Sequence, residues 1–489
     1  MTRDQGEAMA RTDAGAAPEL EPGTAVWLTS ADGLAAVTRA THHLDEGGDE
    51  LSAAADIARS VHDPAWRAAA LTAAVARRRA RTRWPEADDL LFTREALEQA
   101  SDPAVSAHRA RRLLAGAPRG CPVFDLCAGV GGDAIALARE GRSLRVQVTA
   151  VDHDPSRLAL LAHNAEVLGV EVAALAADAL EVAVPPGALI HADPGRRRGE
   201  RRMRRLDDYL PSVPALLAAH EGASRWAVAL APGVALDDPL LPGDCEVEYV
   251  QVGAALTEAN LWRGAPGWRP SSSGRPWSSS DRTGPGRRGP WVARGERDPH
   301  RASPAPEVAA GVTEPDRAPG TDPIGPTSSA TLLPAGHHLA AKAVHADRLR
   351  LTVGPVGDHL VEMAPAAIRA RRHDELGAAI GARRLARTRA LLTTDEPPPP
   401  SPWYRSRAVV AVLPGRARDV KRWLEDRAGG SHGPSSAVEV VLHGVAGDPT
   451  DIWRELGRPP RGPQGLRLEF IRRDEDTITV VTRAVASDP

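Results

Sequence analysis

The sequence has few cysteines, few aromatic residues and no long apolar run. Three cysteines in 489 residues form neither a disulfide framework nor a paired CxxC zinc site. No stretch approaches the roughly 18 uninterrupted apolar residues that a membrane-spanning helix needs. The acidic, polar start MTRDQGEAMARTDAGAAPEL lacks the apolar core of a signal peptide. These absences argue against secreted and membrane proteins, and we expect a reduced, cytoplasmic protein without a membrane partner.

Lysine is also nearly absent. The 61 cationic residues face 64 acidic ones, so the chain as a whole has no charge that would draw it to nucleic acid or membrane. Only Lys342 and Lys421 are lysines, and every other cation is an arginine. A single arginine therefore carries little information, whereas a local cluster of arginines does.

The length predicts two or three domains, because one hydrophobic core rarely exceeds about 250–300 residues. Composition and periodicity divide the chain into a disordered leader (1–22), a helical domain (23–112), an α/β domain (113–268), a disordered insert (269–329), a connecting helical segment (330–396) and a small α/β domain (397–489). The insert is rich in Pro, Gly, Ser and Arg and has too little apolar periodicity to form a core.

Apolar patterning predicts the elements. From Cys121 onward, short apolar runs alternate with helical segments, which is typical of a doubly wound sheet of parallel strands. The predicted strands are Val123–Leu126, Val146–Val151, Val170–Leu175, Ala188–Ala192 and Trp226–Ala231, with Glu246–Val252 and Thr257–Trp262 as an antiparallel edge pair. An Arg/Ala-rich stretch predicts a helix over Pro365–Leu392, and strands and helices alternate again from Ser406 to Arg483.

The strongest motif is VFDLCAGVGGDAIALA, residues 123–138. A β run ends at Asp125, the glycines turn the chain sharply, and a helix begins near Ala134. Glycine lets a ligand lie close against the backbone and permits positive φ. Taken alone, the pattern also fits a dinucleotide site or a purely structural turn.

Acidic residues favour a cationic ligand at this loop. Asp125 would repel a pyrophosphate but attract the ammonium and sulfonium groups of S-adenosylmethionine. Asp152, with Asp154 as a near alternative, can accept the ribose hydroxyls, and Asp178 can accept from the adenine amino group. The alternative is that these acids are helix N-caps, above all Asp133 and Asp154. The predicted cofactor-binding residues are Asp125, Cys127, Gly129, Gly131, Asp133, Asp152, His153, Asp178 and Asp193.

The motifs DLCAGVGGD, VDHDP, AADA and HADP resemble those of class I S-adenosylmethionine-dependent methyltransferases over about Cys121 to Ala231. The resemblance implies a Rossmann-like domain in which Asp193 and Pro194 are the catalytic residues that hold the substrate nitrogen. The fourth motif departs from base-methylating members, since Gly195 and Arg196 replace a proline and an aromatic residue. A cytosine-C5 enzyme is disfavoured because Cys245 lies far from the fourth strand.

Other pieces resemble bacterial methyltransferase-like proteins that have a C-terminal THUMP-like domain. These pieces are LFTREALEQAS, DPGRR, GERR, DDYLP, TEANLW, ATLLPAG and EMAPAAIRA, and the match spans about Gly23 to Ala484 except for the insert. Genuine THUMP domains deliver RNA to modification enzymes. The resemblance therefore implies a THUMP-like α/β domain at residues 397–489 and RNA as a partner.

An arginine-rich run follows the fourth predicted strand. Its seven arginines are Arg196, Arg197, Arg198, Arg201, Arg202, Arg204 and Arg205. The chain average would give about one in the same length. We interpret the run as an RNA-binding loop whose guanidinium groups contact phosphates. The alternative is a solvated loop in which the arginines pair with Glu200, Asp207 and Asp208.

Further candidates are weaker. The pairs His42–His43 and His337–His338 lack partners at metal-ligand spacing, so no metal site is predicted. Trp403 and Tyr404 could stack a base, but aromatic residues after a Pro run more often anchor the linker.

The sequence thus predicts a methyltransferase that acts on a base nitrogen of a structured RNA (tRNA or rRNA). The alternative is a non-catalytic RNA-binding protein with a degenerate methyltransferase fold, and Asp125 disfavours a nucleotide-linked oxidoreductase.

Overall fold

The computed structural model describes residues 20–195, 205–264, 326–343, 349–428, 436–456 and 465–483, and the short pairs 197–198, 201–202 and 461–462. The predicted leader up to residue 19 and the predicted insert up to residue 325 lie outside the described residues. The same holds for the side chains of residues 196–204. Within the described ranges, no helix is long and apolar enough to cross a membrane.

Helices fill the chain before the first strand, as predicted. They are α1 (Pro22–Thr29), α2 (Ala31–Asp45), α3 (Glu50–Ile57), α4 (Pro64–Ala80), α5 (Arg94–Gln99) and α6 (Pro103–Leu114). Asp63 caps α4 by accepting the N–H groups of Ala65 and Trp66, and Pro64 suits the first helical position. The alanine-rich faces of α1 to α4 pack together and against residues of the glycine loop and the helix that follows the second strand.

The next elements build the α/β part. The strands are β1 (Pro122–Leu126), β2 (Gln147–Asp152), β3 (Ala173–Ala176), β4 (Leu189–Ala192), β5 (Arg197–Arg198), β6 (Arg201–Arg202), β7 (Arg225–Leu230), β8 (Glu246–Val252), β9 (Ala255–Arg263), β10 (Thr327–Leu333) and β11 (His337–Ala343). The helices among them are α7 (Gly132–Glu140), α8 (Pro155–Val167) and α9 (Val213–Ala219), with 3-10 turns at Arg142–Leu144 and Leu206–Asp208. Each of the seven predicted strand runs overlaps a strand of the structure, although β3 begins three residues after the predicted start at Val170.

Nine of these strands form one sheet in the order β11-β10-β8-β9-β7-β4-β1-β2-β3 within the described residues. Strands β1 to β4 and β7 are parallel to their neighbours in this series, and β9 runs antiparallel between β7 and β8. Alternate side chains point to opposite faces. Val123 packs in the core with α6 and α7, whereas Phe124 packs on the face that carries α9.

The helix predicted over Pro365–Leu392 is wrong as a continuous element, and so is the connecting helical segment. The chain forms α10 (Pro365–Arg369), α11 (His373–Ala379), β13 (Arg383–Arg384) and β14 (Leu391–Thr394), while β12 spans His359–Met363. Arg371 has a left-handed φ of 57°, which ends the first helix. Residues 327–343, partly assigned to the insert, form β10 and β11 of the large sheet instead.

A second sheet closes the described chain. Its order is β13-β14-β12-β15-β20-β19-β17 within those residues. The remaining elements are β15 (Tyr404–Pro414), α12 (Ala417–Ala428), β16 (Ser436–Ala437), β17 (Glu439–His443), α13 (Pro449–Leu456), β18 (Arg461–Gly462), β19 (Leu466–Arg472) and β20 (Thr477–Arg483). The strands and helices predicted after residue 400 are confirmed. Because β12 and β14 belong to this sheet, it begins well before the predicted boundary at residue 397.

Trp403 and Tyr404 anchor the Pro run to this part of the molecule. Both side chains are buried, and the Tyr404 hydroxyl donates to the carbonyl of Pro399 at 2.6 Å. The carbonyl of Trp403 accepts the N–H of Ala364 at 2.8 Å. The anchoring interpretation therefore fits the structure better than base stacking.

Candidate cofactor and substrate site

The glycine loop joins β1 to α7. Cys127, Gly129 and Gly131 have φ angles of 62°, 55° and 96°, in the left-handed region that favours glycine. A Cβ on Gly129 would meet no atom within 4 Å, whereas a Cβ on Gly131 would lie 2.7 Å from Cγ of Leu161. Gly131 is thus required for packing, and Gly129 faces open space in which a ligand can approach the backbone.

Backbone pairing places the predicted acids along one edge of the sheet. The pairing continues one residue past the strands, because Ala177 N–H donates to Asp152 O and Asp193 N–H donates to Leu126 O, both at 3.1 Å. The strands are parallel, so their carboxyl ends meet at this edge. Ligands of open α/β sheets bind outside such an edge.

Carboxylates at the ends of four neighbouring strands act electrostatically on the Cys127 thiol. Burial raises the pKa of this thiol, and so do the four negative charges around it. The carboxylates belong to Asp125, Asp152, Asp178 and Asp193. The structure therefore brings together the acids that the sequence predicted, at the loop with the open glycine. Such a concentration of negative charge favours a ligand with positive groups.

Asp152 and its neighbours differ in what they bind. Asp152 is 3% exposed, and its carboxylate accepts the N–H of Gly129 at 2.9 Å and of Asp154 at 3.0 Å. Asp154 caps α8 by accepting the N–H of Ser156, which is the N-cap role predicted as its alternative.

The His153 side chain is exposed, with Nδ1 3.4 Å from Asp152 Oδ1. Asp178 is exposed and accepts the N–H of Leu180 at 2.8 Å.

Asp125 lies deeper than the other acids. It is 1% exposed, and Oδ1 lies 2.6 Å from Nδ1 of His191, the paired residue on β4. Burial alone would lower the pKa of His191, but the carboxylates of Asp133 and Asp125 raise it overall. Among the described residues, Asp125 Oδ2 and His191 Nε2 have no hydrogen-bond partner. Direct contact between Asp125 and a cofactor stays a prediction.

Asp133 is not the N-cap of α7, since Gly131 occupies that position. Instead, its Oδ1 accepts from Nη2 and Nε of Arg109 at 2.6 and 3.1 Å. Burial favours the protonated acid, but the positive charges of Arg109 and His191 lower the pKa of Asp133 to about 2. Asp133 is therefore ionised and held by α6.

The predicted catalytic residues begin the excursion that carries the arginines. Asp193 is partly exposed, and Pro194 is buried. Gly195 and Leu210 exchange backbone hydrogen bonds of 2.8 and 3.1 Å, which closes the base of the excursion around the β5–β6 hairpin. The Tyr209 hydroxyl accepts the N–H of Ala231 at 2.8 Å, tying this base to the end of β7.

Arg205 is the one member of the arginine run whose side chain the structure describes. It is exposed, and its Nε donates to Asp207 Oδ1 at 3.0 Å. This contact matches the pairing alternative for Arg205. The side chains of the other six lie outside the described residues, and their role stays a prediction.

The histidine pairs do not form a metal centre in the described ranges, where no group of three or more His, Cys, Asp and Glu is arranged to hold a metal ion. His42 is exposed, with Nδ1 3.3 Å from a carboxylate oxygen of Glu46. His338 is buried and lies 2.9 Å from the hydroxyl of Thr331.

Sequence reasoning missed several residues that support the site. Asp125 and Asp133 were predicted, but their partners His191 and Arg109 were not. His191 was detectable as a polar residue inside an otherwise apolar strand, LIHA. Arg109 was hidden by the abundance of arginine in the chain.

A Rossmann-like sheet with a glycine loop after its first strand and acids at the following strand ends is the architecture of class I methyltransferases. The family model described as RNA cap guanine-N2 methyltransferase matches residues 121–183, which run from the start of β1 past β3. This match covers the glycine loop and the acids at the ends of β1, β2 and β3.

Two curated proteins from Mycobacterium tuberculosis strains are similar to this chain. Each is described as an uncharacterized S-adenosylmethionine-dependent methyltransferase and is 37% identical over 173 residues, which is 35% of this chain and 45% of the relative. The chain thus spans less than half the length of the curated relatives that it matches. Together with the family model, they support a methyltransferase with S-adenosylmethionine as its cofactor.

A solved structure shares the fold over most of the chain. It is the crystal structure of a candidate methyltransferase from Porphyromonas gingivalis, with a TM-score of 0.58 and 16% identity. The superposition covers 87% of this chain and 92% of that one. At this identity the likeness shows the fold alone.

The residues at the edge fit S-adenosylmethionine. Gly129 leaves open space against the backbone. The polar side chains around the loop are carboxylates, whose negative charge suits a sulfonium and an ammonium group. A dinucleotide would bring its pyrophosphate to the same loop, where the carboxylates would repel it.

Proposed function

We propose that this protein is an S-adenosylmethionine-dependent methyltransferase that modifies a base nitrogen of a structured RNA, with tRNA and rRNA as the expected classes. The observation that carries the proposal is the series of acids at the paired carboxyl ends of β1 to β4, beside the open face of Gly129. The matched family model and the curated relatives support the same chemistry.

The site residues have distinct roles in this proposal. Asp152 accepts the ribose hydroxyls of the cofactor, and Asp178 accepts from its adenine amino group. When bound, S-adenosylmethionine would supply an electrophilic methyl group. Asp193 and the carbonyl of Pro194 accept hydrogen bonds from the target nitrogen and orient its lone pair towards that group. Much of the rate would come from this orientation.

RNA as the substrate has two lines of support. The matched family model is described as an RNA methyltransferase family. The arginine run also emerges from the end of β4, directly after Asp193 and Pro194, and Gly195 and Leu210 fix the base of the excursion. Arginine forks bind phosphates well. We propose that these arginines hold the RNA backbone while the base enters the site.

The C-terminal sheet extends the proposal. We propose that the second sheet, which joins residues 397–489 of the predicted THUMP-like domain to β12, β13 and β14, helps to deliver RNA, as the sequence resemblance implies. Strands β15, β17, β19 and β20 of that domain belong to the same sheet as β12 and β14. The helices α12 and α13 pack against this sheet.

The decisive experiment compares modified nucleosides in total RNA from a deletion strain and its parent by mass spectrometry. A methylated nucleoside that disappears on deletion and returns with the wild-type gene, but not with an Asp193→Ala gene, supports the proposal. An unchanged nucleoside profile, together with RNA binding by the purified protein, favours the non-catalytic alternative. The sequence feature that favours this alternative is the lack of an aromatic residue in the motif that begins with Asp193 and Pro194.

A further inference from the structure

Arg109 connects α6 to three other parts of the chain. Its side chain is 1% exposed. Nη2 and Nε donate to Asp133 on α7, Nη1 donates to Asn260 Oδ1 on β9 at 3.0 Å, and Nη2 donates to Ser101 Oγ at 2.9 Å. Nη1 also forms an ion pair with Glu258 on β9. One buried guanidinium thus joins the helical region, the glycine loop and the sheet.

These contacts fix the glycine loop from one side. Asp133 is the second residue of α7 and lies two residues after Gly131. Leu161 of α8 also packs against the loop, since a Cβ on Gly131 would lie 2.7 Å from its Cγ. The loop that carries Gly129 is therefore held both by α8 and by the Arg109 side chain.

Charge keeps this arrangement ionised. Burial alone would lower the pKa of Arg109, but the carboxylates of Asp133, Glu258 and Asp193 raise it overall. The pKa of Asp133 is lowered to about 2. Both partners therefore stay charged at neutral pH, and the field of Arg109 also reaches Asp193, the predicted substrate-orienting residue.

We infer that Arg109 is a positioning residue of the methyl-transfer site, which holds the glycine loop in its cofactor-binding geometry through Asp133. This inference rests on the proposed function. Arg109 is buried beneath the edge and acts through Asp133, so it is not a catalytic residue. A planar fork with three donating nitrogens is needed to join Asp133, Asn260 and Ser101, and a lysine cannot replace it.

Arg112 offers a matched control on the same helix. Its side chain is 2% exposed and pairs with Glu246 at 2.6 Å and Glu248 at 3.1 Å, both on β8. It also lies over the Trp262 ring, 4.4 Å from the centroid. Arg112 is as buried as Arg109 and also pairs with two acids, although it makes fewer hydrogen bonds, and its partners lie away from the glycine loop.

The test compares Arg109→Lys with Arg112→Lys in the full chain. Both variants keep the positive charge and lose the fork, so both are expected to melt earlier than the wild type. Below the melting range, S-adenosylhomocysteine is titrated by calorimetry. Mutation of a residue that orients metal ligands typically weakens metal affinity by about 10- to 100-fold. By analogy, we expect the Kd for S-adenosylhomocysteine to rise by that order in Arg109→Lys but not in Arg112→Lys.

A second variant separates loop positioning from general damage. If Arg109 acts through Asp133, the Kd of Asp133→Asn rises as well, and the double variant Arg109→Lys/Asp133→Asn binds no worse than the weaker single variant. Equal Kd changes in the Arg109 and Arg112 variants, or an unchanged Kd in Arg109→Lys, would overturn the inference alone. No binding by the wild type would contradict the proposed function and, with it, the inference.

Discussion

At the scale of single residues, the environment gives one residue type several roles. Asp154 and Asp178 accept backbone N–H groups near helix starts and turns, whereas Asp133 is buried and paired with Arg109. Asp152 combines both features, since it is buried like Asp133 but accepts a backbone N–H, that of Gly129 in the glycine loop. The free energy that each acid contributes to cofactor binding should therefore differ.

Asp152→Ala should weaken the binding of S-adenosylhomocysteine more than Asp154→Ala. Asp152 is expected to accept both ribose hydroxyls, and loss of hydrogen bonds to a charged group costs about 1.5–3 kcal/mol, or roughly tenfold or more in Kd. Asp154 caps α8, so its loss should cost about 1 kcal/mol of stability with little change in affinity. Calorimetry and thermal melting measure both quantities.

The comparison also decides between the two acids. Tight binding by Asp152→Ala together with weak binding by Asp154→Ala would assign the ribose to Asp154. If neither substitution changes the affinity, the ribose does not lie at this end of β2.

His191 gives the protein a pH-dependent contribution to stability. Its pKa is raised in the folded state by Asp133 and Asp125 against the effect of burial, relative to about 6.5 in an unfolded chain. The contribution is therefore complete below about pH 6.5 and is lost as the pH rises through the folded pKa. Breaking a buried pair typically costs about 3–5 kcal/mol.

The difference in unfolding free energy between wild type and His191→Gln should be largest near pH 6 and shrink towards pH 9. Urea unfolding at intervals of one pH unit measures it. His163→Gln is the control, because His163 is only partly buried and its Nε2 lies 3.1 Å from a backbone carbonyl, that of Asp89, rather than from a carboxylate. A difference that grows with pH would contradict the assigned direction.

Single residues also show what sequence alone can reveal about the site. Each acid of the edge follows or ends an apolar run, and parallel strands bring such ends together, so their convergence was predictable. The pairs Asp125–His191 and Asp133–Arg109 depend on which side chains face each other across 66 and 24 residues of chain. Local spacing contains no signal for such contacts.

At the scale of elements, the strands and the alanine-rich N-terminal helices were predicted well, whereas the Arg/Ala-rich segment between Pro365 and Leu392 was not. Alanine and arginine are abundant throughout this chain, so their helical periodicity between Pro365 and Leu392 was a poor indicator of a helix. Burial of Leu391–Thr394 against β12 outweighed local preference and produced strand β14.

The two strands that flank the predicted insert make its removal testable. Trp262 on β9 and Thr327 on β10 both pair with Glu246 of β8, one on each side. With strands about 4.8 Å apart, the two positions lie roughly 10 Å from each other. A short Gly/Ser linker can therefore replace Arg269–Ile324 without displacing either strand.

We expect this deletion to leave the melting temperature nearly unchanged, because a segment of such composition contributes little core. Scanning calorimetry of the full chain and the deletion variant tests this. Deletion of Thr327–Leu333 instead, which removes β10 from the sheet, is the control and should abolish cooperative unfolding. A large loss of cooperativity in the first variant would show that the insert stabilises the fold.

At the scale of the whole molecule, the helical region is attached directly to the site. Asn164 on α8 donates to the carbonyls of Leu91 and Val130 and accepts the N–H of Leu91, so it joins the helical region to the glycine loop. The sequence predicted both regions but gave no indication of this contact, because it depends on one amide that bonds three backbone groups at once.

The arginine run separates an RNA enzyme from the alternatives most directly. Changing Arg197, Arg198, Arg201 and Arg202 to Ser should weaken RNA binding, and each lost phosphate contact should lower the slope of log affinity against log salt by roughly 0.7–0.9. The control replaces three exposed arginines that already pair with acids, Arg59, Arg94 and Arg139, and should leave the slope unchanged. Cofactor affinity should stay the same in both variants, because the acids of β1 to β3 are untouched. If the RNA slope is unchanged and the first variant melts earlier, these arginines pair with local acids, as Arg205 does with Asp207, and the RNA-binding surface lies elsewhere on the molecule.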